Sequence, residues 1–401
     1  MSSIRKPKRI TIRGNDEKDY HYLVKGGEDL RQDQRIEQLF LIMNRVMESD
    51  ASCRARNLKL KTYQVIPMNP RVGFIEWMNN TLPLKEFLYD AMTDEERKYF
   101  DGEQGPSRQH QIWTGKFFEA GKKSTGGMYS LVYQKYSKTE TEREFRIKEG
   151  KVPWNLSRRA LQHMSTSVEA FHVLRCAMLT SHAVVCVCQY LLGIGDRHLS
   201  NFMINLKTGH MVGIDFGHAF GTATQFLPVP ELMAIRLTAQ IVNVGLPLKV
   251  KGLLENTMVH VLRALRQNND LLLSTMDVFV KEVSVDWLQF AEKQKNQGME
   301  PEDADGENMT WYPKQKVQWA ARKLKGDNPC YITRDELRLG HSRNAAMKSF
   351  ESVAIGNKNE NIRAKLPESG LTEEQQVAAL IDQATDPNIL GRTWAGWEPW
   401  M

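Results

Sequence analysis

Two short stretches near the start of the chain alternate apolar and polar residues, which is the pattern of strands with one buried face. They are residues 9–13 and 20–25, and the polar run 14–17 that begins the link between them predicts a hairpin. A helix is predicted next, because apolar residues recur at the spacing of one helix face. Those residues are Ile36, Leu39, Phe40, Met43 and Met47.

The pattern then changes from strands to helices. Two more strand-like runs, 62–66 and 72–78, precede a predicted helix at 84–92. Residues 101–151 are polar, glycine-rich and weakly periodic, and we interpret them as an insertion with little core of its own. From residue 156 to residue 192 the pattern is helical. This order predicts a small β-rich part followed by a larger helical part.

The last hundred residues contain a linker and two further helices. Residues 296–310 carry many acids and predict the linker, and residues 314–325 predict a basic helix whose charges face solvent. Thr372 and Gln375 form a capping-box pattern at the start of the final helix. Asp386-Pro387 is expected to end that helix.

Composition and charge exclude several classes of protein. Hydrophobic residues make up 41% and charged residues 25% of the 401, which excludes a wholly disordered or fibrous chain. A net charge of +6 is too weak to imply nucleic-acid binding. Five cysteines without a Cys-x-x-Cys pair argue against a disulfide scaffold and a zinc ribbon. There is no signal-peptide pattern, and the most apolar run, 183–195, is too short to span a bilayer, so we expect no membrane partner.

A second hairpin carries the candidate chemistry. Two apolar runs flank the turn signal Lys207-Thr-Gly209, and Asn201 and Asp215 lie seven residues either side of Thr208. A regular hairpin would therefore bring a carboxamide and a carboxylate oxygen together. Hard oxygen ligands suit Mg²⁺.

The spacing of acids around this hairpin is typical of phosphoryl transfer. Asp196 lies five residues before Asn201, and Asp215 begins Asp-Phe-Gly, as in protein kinases, although the order here is Asp-Arg-His. Phosphoryl transfer also needs a cation for the nucleotide phosphates. Lys25 ends a strand and Asp33 lies on the following helix, so we expect these two side chains to form an ion pair.

Three motifs resemble the phosphatidylinositol-3-kinase-related protein kinases. They are the segments 25–35, 193–201 and 213–218, and the tail 384–401 resembles the C-terminal FATC segment of that family. The resemblance implies an α+β, two-lobed protein-kinase-like fold of the PI3/PI4-kinase type. It comprises a small β-rich N-lobe, a larger helical C-lobe and a C-terminal FATC helical segment.

The resemblance also implies a division of the chain. Residues 1–78 would form the N-lobe as far as the hinge, without the family's first strand. Residues 79–340 would form the C-lobe, with the insertion at 101–151. Residues 341–368 would connect it to the FATC segment, 369–401.

Roles follow from the resemblance residue by residue. Asp196 would be the catalytic base and His198 would stabilise charge on the γ-phosphate. Lys25 would bind the α- and β-phosphates, with Asp33 and Glu28 as the residues that could orient it. Asn201 and Asp215 would hold Mg²⁺. Ser3 would lie in a phosphate-facing loop at 2–9, and residues 76–78 would form the hinge that holds adenine. In full, the implied nucleotide-binding residues are Ser3, Lys25, Glu28, Glu76, Trp77, Met78, Asn201 and Asp215.

Several functions stay open beside an ATP- and Mg²⁺-dependent protein kinase. A lipid kinase needs cations that meet inositol phosphates, and residues 215–235, here called the activation segment, contain no Lys or Arg, which favours a protein substrate. A catalytically silent scaffold is the second alternative. A DNA-binding module is the third, because residues 5–9 are basic.

The tail is most similar to the DNA-repair branch of the family. That branch implies substrates with Ser/Thr-Gln sites, a nuclear location and a role in non-homologous end joining. It also implies that the full-length protein meets DNA ends and the Ku heterodimer.

Two further expectations concern single side chains. Thr224-Gln225 is a candidate self-modification site, and a phosphate there should restrain activity because the segment has no cation of its own. Trp394, Trp397 and Trp400 are expected to pack on the helical lobe rather than to enter a membrane.

Overall fold

A computed structural model describes residues 7–279 and 311–401. Its first part is a four-stranded antiparallel sheet in the order β1-β2-β4-β3. The predicted first hairpin is confirmed, since Lys8 lies opposite Val24 and Arg13 opposite Asp19. The strands are β1 Lys8–Arg13, β2 Asp19–Gly26, β3 Val65–Asn69 and β4 Val72–Glu76.

The predicted strand at 62–66 begins later than expected, at Val65. The N–H of Tyr63 donates instead to the carboxyl of Glu37 on the helix that precedes β3 in the chain, at 3.2 Å. That helix, α1, spans Arg31–Ser49, and all five residues of its predicted apolar face are buried. It packs against β3 and so connects the sheet to the helical part.

A second, three-stranded sheet in the order β5-β6-β7 holds the candidate site. The predicted hairpin forms β6 Phe202–Asn205 and β7 Met211–Gly213. Strand β5, Thr81–Pro83, pairs with β6 and follows directly on the predicted hinge. Hinge and hairpin are therefore joined through one small sheet.

The rest of the described chain is mainly helical. Long helix α9 packs against α12 and β7 at the centre of the helical part. The helices after α1 are α2 Ala51–Ala55, α3 Leu84–Asp90, α4 Asp94–Asp101, α5 Pro106–Gly115, α6 Thr125–Lys135, α7 Lys138–Glu149, α8 Leu156–Met164, α9 Val168–Leu192, α10 Thr222–Phe226, α11 Ala239–Val244, α12 Leu253–Gln267, α13 Asn269–Phe279, α14 Trp311–Leu324, α15 Pro329–His341, α16 Met347–Ile355, α17 Ile362–Lys365, α18 Glu373–Ala384 and α19 Pro387–Leu390.

Helix α9 is the one described helix that is long and apolar enough to cross a bilayer by length and composition alone. Most of its apolar window is buried inside the protein, as in a core helix. Cys186 and Cys188 are among its buried residues, and all five cysteines are free. The prediction that these two are buried thiols is confirmed.

The prediction that residues 101–151 have little core of their own was wrong. The helices there bury Trp113, Tyr129 and Phe145. Their partner is the end of the chain: the guanidinium of Arg392 donates to the carbonyl of Tyr136 at 2.7 Å, and apolar residues of both regions share one cluster. Local periodicity is weak because this core is completed by residues more than two hundred positions away.

The C-terminal segment follows the prediction closely. Thr372 and Gln375 form the capping box, and α18 ends before Asp386. Trp397 and Trp400 are buried on the helical lobe as expected, whereas Trp394 is half exposed.

The expectation that the charges of residues 314–325 face solvent holds for Lys314 and Lys325 but was wrong for two lysines between them. Lys316 is fully buried, Lys323 is almost so, and the Nζ of Lys316 donates to the carbonyl of Phe220 at 3.4 Å. Burial lowers the pKa of Lys316 to about 7. The predicted linker at 296–310 lies outside the described residues, and the domain boundaries at 78, 340 and 368 stay predictions.

Candidate active site

The register of the second hairpin differs from the predicted one by a single step. Phe202 pairs with Gly213, so the N–H of Ile214, not of Asp215, donates to the carbonyl of Asn201, at 3.0 Å. Asp215 is the next residue after this pair. The hairpin still brings the start of Asp-Phe-Gly to the end of the loop 193–201, here called the catalytic loop.

Both candidate acids have an unusual backbone. Asp196 has φ +57° and Asp215 has φ +60°, in the left-handed region. This conformation costs an L-residue about 1–2 kcal/mol, so it persists only where neighbouring groups impose it. The side chains that impose it are therefore part of the site.

Arg197 is one of these side chains. It is 3% exposed, and its guanidinium donates to the carbonyl of Gly195 at 2.8 Å and of Ile214 at 2.8 Å, and also to that of Asp215. It thereby fixes the catalytic loop to the backbone that carries Asp215. Its burial lowers its own pKa, against the opposing charges of the neighbouring acids.

Asn201 and Asp215, which the sequence predicts as Mg²⁺ ligands, lie at the two ends of this hairpin. Asn201 is 6% exposed and its Nδ2 donates to the carbonyl of Asp196 at 2.8 Å, so its side-chain oxygen is the atom suited to a cation. Asp215 as a whole is exposed to solvent, but protein groups surround its carboxyl. The partial loss of water around the carboxyl raises its pKa, and the charges of Lys25 and Arg197 more than offset this effect, so the pKa lies below its usual value. An ionised carboxylate beside a carboxamide oxygen fits Mg²⁺.

The expected ion pair of Lys25 with Asp33 was wrong. The Nζ of Lys25 instead pairs with Oε1 of Glu28 at 2.5 Å, both side chains being largely buried. Burial lowers the pKa of Lys25, but the negative charges of Asp215 and Glu28 raise it by more, so the pKa lies above its usual value. Glu28 follows Lys25 by only three residues, across the turn that leads into α1, so its carboxylate lies closer to Lys25 than that of Asp33 does.

Asp33 has a different partner. Its Oδ1 accepts the N–H of Phe216 at 3.1 Å. Burial and the nearby charge of Asp215 raise its pKa to about 6. The carboxyl therefore acts on Asp-Phe-Gly directly, and on Lys25 only through its charge.

His198 faces the same region as a neutral ring. Its Nδ1 accepts the N–H of Ser200 at 3.2 Å, so the proton of the neutral ring lies on Nε2. Burial lowers its pKa, against the opposing charge of Asp196. A neutral imidazole with Nε2–H is a hydrogen-bond donor at neutral pH.

The predicted hinge residues end the first sheet. The N–H of Glu76 donates to the carbonyl of Gln64 at 2.8 Å, and that of Trp77 to His21 at 2.9 Å. The indole of Trp77 is half-buried and carries the guanidinium of Arg9 at 4.8 Å. Met78 packs partly against the main core. Ser3 and the loop as far as residue 6 lie outside the described residues.

The activation segment docks on the catalytic loop through backbone hydrogen bonds. The N–H of Gly195 donates to His218 at 2.8 Å, and that of Gly221 donates to Gly193 at 2.8 Å. A Cβ on Gly195 would overlap Ala223, so glycine is needed for this approach.

Thr224 is not the exposed loop residue that self-modification requires. It is 8% exposed, and its hydroxyl donates to the carbonyl of Glu231 at 2.8 Å. The segment has no Lys or Arg of its own, as the sequence shows, but Lys316 from helix α14 donates to the carbonyl of Phe220 within it.

Four side chains of the site were missed from the sequence: Gln32, Arg197, Glu231 and Arg236. Arg197 stands inside a predicted motif, and Glu231 is the one acid between Asp215 and Arg236, so both had a signal. Arg236 interrupts an apolar run and is fully buried, with donations to the carbonyls of Arg197, Trp397, Glu398 and Met401. Gln32 had no signal beyond its place next to Asp33.

Comparison with protein families gives two matches. Residues 19–289 match the family described as phosphatidylinositol 3- and 4-kinase, and residues 370–401 match the FATC domain. The first match includes Lys25, the catalytic loop and the activation segment.

Comparison with curated proteins finds relatives over the whole chain. It is 56% identical over 402 residues to the DNA-dependent protein kinase catalytic subunit of Gallus gallus and 55% identical to that of Xenopus laevis. The protein of the same name from Dictyostelium discoideum is 43% identical over 99% of the chain. The chain spans about a tenth of the length of these relatives.

A solved structure described as the FAT and kinase domain of CtTel1 has the same fold. It superposes with a TM-score of 0.65 at 23% identity, covering 98% of this chain and 23% of the other.

Proposed function

The chain belongs to the phosphatidylinositol 3- and 4-kinase family, and on that premise we propose that it transfers the γ-phosphate of ATP to Ser and Thr side chains of proteins. The observation that carries the proposal is the placement of Asn201. Its side-chain amide donates to the backbone carbonyl of Asp196, and its own backbone carbonyl accepts the N–H of Ile214, the residue before Asp215. Base and metal ligands are thereby set in one arrangement.

In the proposed reaction the substrate hydroxyl oxygen attacks the γ-phosphorus. A new O–P bond forms, the bond to the bridging oxygen breaks, and ADP leaves. The carboxylate of Asp196 accepts the hydroxyl proton. The Nε2–H of His198 donates to a γ-phosphate oxygen, where charge develops.

The cofactors are held by side chains already described. Lys25, fixed by Glu28, would bind the α- and β-phosphates, and the hinge 76–78 would receive adenine. Asn201 and Asp215 would hold Mg²⁺, which would neutralise charge on the phosphates. The positive charges of Lys25 and Mg²⁺ would both lie close to the phosphates, where they would favour transfer of the γ-phosphate.

A protein substrate is favoured over an inositol lipid by the lining of the activation segment. Residues 215–235 contain no Lys or Arg. Several cations that adjoin this segment are buried: Arg197 donates to the carbonyl of Asp215, and Lys316 donates to the carbonyl of Phe220. A headgroup phosphate would thus find few exposed partners on this segment.

The relatives are much longer proteins, and their shared name suggests a biological setting for this chain. We propose a preference for Ser or Thr followed by Gln, a nuclear location and a role in DNA double-strand-break repair by non-homologous end joining. The Ku heterodimer and DNA ends would be reached through parts of the longer protein. The identity of 53–56% to vertebrate proteins named DNA-dependent protein kinase catalytic subunit supports this setting.

An ATP-dependent transfer assay tests the proposal. Labelled ATP is offered with a Ser-Gln peptide, the same peptide with Ser-Ala, and vesicles containing phosphatidylinositol. Transfer to the Ser-Gln peptide that is lost in Asp215→Ala is the expected result. Transfer to the lipid alone would show a lipid kinase, and no transfer at all would favour the scaffold.

A further inference from the structure

Both backbone polar groups of Asp196 are held by side chains. Its N–H donates to Oε2 of Glu231 at 2.9 Å, and its carbonyl accepts from Nδ2 of Asn201 at 2.8 Å. Asp196 has φ +57°, so it would relax to an ordinary conformation without such constraints. The direction of its carboxylate therefore depends on these two hydrogen bonds.

Glu231 comes from the far end of the activation segment and is itself fixed. It is 8% exposed, and its own carbonyl accepts the hydroxyl of Thr224 at 2.8 Å. Next to it the backbone of Gly195 approaches Ala223 so closely that a Cβ would also come within 2.9 Å of Oε2 of Glu231. The carboxyl is thus clamped between α10 and the catalytic loop.

The charges that face Glu231 come from two elements. Asp196 and Arg197 belong to the catalytic loop, and Arg236 belongs to the stretch after the activation segment. Burial and the charge of Asp196 raise the pKa of Glu231 to about 7, against the two guanidinium groups. The carboxyl is therefore not simply a stabilising partner of the arginines.

We propose that Glu231 is a positioning residue for the transfer reaction, which holds Asp196 in its left-handed conformation through one backbone hydrogen bond. This inference rests on the proposed function for its catalytic consequence, but not for the hydrogen bond itself. Because Glu231 lies on the activation segment, Asp196 is oriented for catalysis only when that segment is docked on the catalytic loop. A segment that lifts away would leave Asp196 misdirected even with ATP in place.

Two substitutions separate the hydrogen bond from the shape of the side chain. Glu231→Gln keeps an oxygen that accepts the N–H of Asp196, whereas Glu231→Met fills similar space and leaves that donor unpaired. The matched controls are Glu95→Gln and Glu95→Met, because Glu95 is exposed in the first turn of α4.

Amide hydrogen exchange of the nucleotide-free protein measures the hydrogen bond directly. We expect exchange in the peptide covering residues 193–199 to be about tenfold faster in Glu231→Met, since the buried N–H of Asp196 loses its acceptor. Glu231→Gln and both Glu95 variants should match the parent. Equal exchange in Glu231→Met and the parent would overturn the assignment.

Kinetics measure the catalytic consequence. We expect kcat to fall about tenfold or more in Glu231→Met while KM for ATP stays within about twofold, because the lost interaction acts on the base and not on the nucleotide. Glu231→Gln should keep most of kcat, because its amide oxygen still accepts the N–H of Asp196. Equal losses of kcat in the Gln and Met variants, matched by equal losses in Tm, would show a merely structural role.

The proposed function and the proposed role of Glu231 can fail independently. A parent protein that transfers no phosphate contradicts the proposed function, while hydrogen exchange still tests Glu231. A parent that is active, with a fully active Glu231→Met, contradicts this inference alone. If Glu231→Met does not fold, Glu231→Ala replaces it, and exchange of residues 193–199 equal to that of the parent overturns the proposal.

Discussion

The side-chain amide of Gln32 donates to the carbonyl of Phe216 at 2.6 Å. The same Nε2 reaches the carbonyl of Gly217 at 3.0 Å, and the neighbouring Asp33 accepts the N–H of Phe216. Helix α1 thereby holds the backbone directly after Asp215. The place of Asp215, the proposed metal ligand, is therefore set by a helix more than 180 residues earlier in the chain.

We expect Gln32→Met to raise the Mg²⁺ concentration for half-maximal transfer by about tenfold, because two hydrogen bonds of roughly 1 kcal/mol each are lost. Titration of Mg²⁺ at fixed ATP measures this effect, and hydrogen exchange of residues 214–219 should accelerate in parallel. Gln38→Met is the control, since Gln38 is exposed on the same helix. An unchanged Mg²⁺ midpoint would contradict the prediction.

Asp215→Ala and Asn201→Ala should each abolish transfer by removing an oxygen ligand of the metal. The fold should survive, because Arg197 binds backbone carbonyls of this region rather than the two deleted side chains. Peptide phosphorylation and thermal unfolding are measured together. Near-normal turnover of Asp215→Ala with an unchanged melting curve would show that the metal assignment is wrong.

Lys25→Ala should lower kcat/KM for ATP by about a hundredfold or more, because a charge–phosphate interaction in a partly dry cleft is lost. Glu28→Gln should produce a smaller loss of the same kind, since the partner at 2.5 Å is Glu28. Lys18→Ala is the control, as its side chain is 75% exposed. Equal kcat/KM in Glu28→Gln and the parent would mean that the ion pair does not orient Lys25.

Asp33→Asn should change the pH dependence of stability. The pKa of Asp33 is raised to about 6 in the folded protein, so its ionisation there is unfavourable. The folded state binds the proton more tightly than the unfolded state, so the parent loses stability as pH rises from about 4 to about 6. The asparagine keeps an oxygen for the N–H of Phe216 and does not ionise.

The difference between Asp33→Asn and the parent is measured by denaturant unfolding at several pH values. It should grow in favour of the variant by roughly 3 kcal/mol between pH 4 and pH 6 and be constant above that range. A difference that is independent of pH would show that Asp33 is ionised in both states or in neither.

Thr224→Asp should lower transfer activity, because a buried hydroxyl that binds the carbonyl of Glu231 would become a buried carboxylate. Thr224→Val keeps the shape and loses only the hydrogen bond, so its effect should be smaller. Phosphate at Thr224 after incubation with ATP would require local opening of α10. Higher activity of Thr224→Asp than of the parent would refute the inhibitory role.

The sequence alone determined several of the elements and which residues are candidates for the chemistry. The face of α1, the first hairpin and the capping box at Thr372 follow from periodicity and local hydrogen bonding, which depend on residues a few positions apart. Asp196, Asn201 and Asp215 were placed together for the same reason, since a short hairpin joins them. Even there the register differed by one step, because hairpin symmetry does not define which residues face the turn.

Only the tertiary structure decided which side chains hold these motifs in place. Gln32 contacts Phe216, Arg236 contacts the carbonyl of Trp397 161 residues later, and the region 101–151 completes its core with the end of the chain. Lys316 is buried although its helix reads as basic. Such contacts are set by the packing of distant elements, and a polar residue that is buried there has the same local sequence pattern as one exposed to solvent. The pairing of Lys25 with Glu28 instead of Asp33 has the same origin, because the packing of α1 directs Asp33 towards the backbone of Phe216.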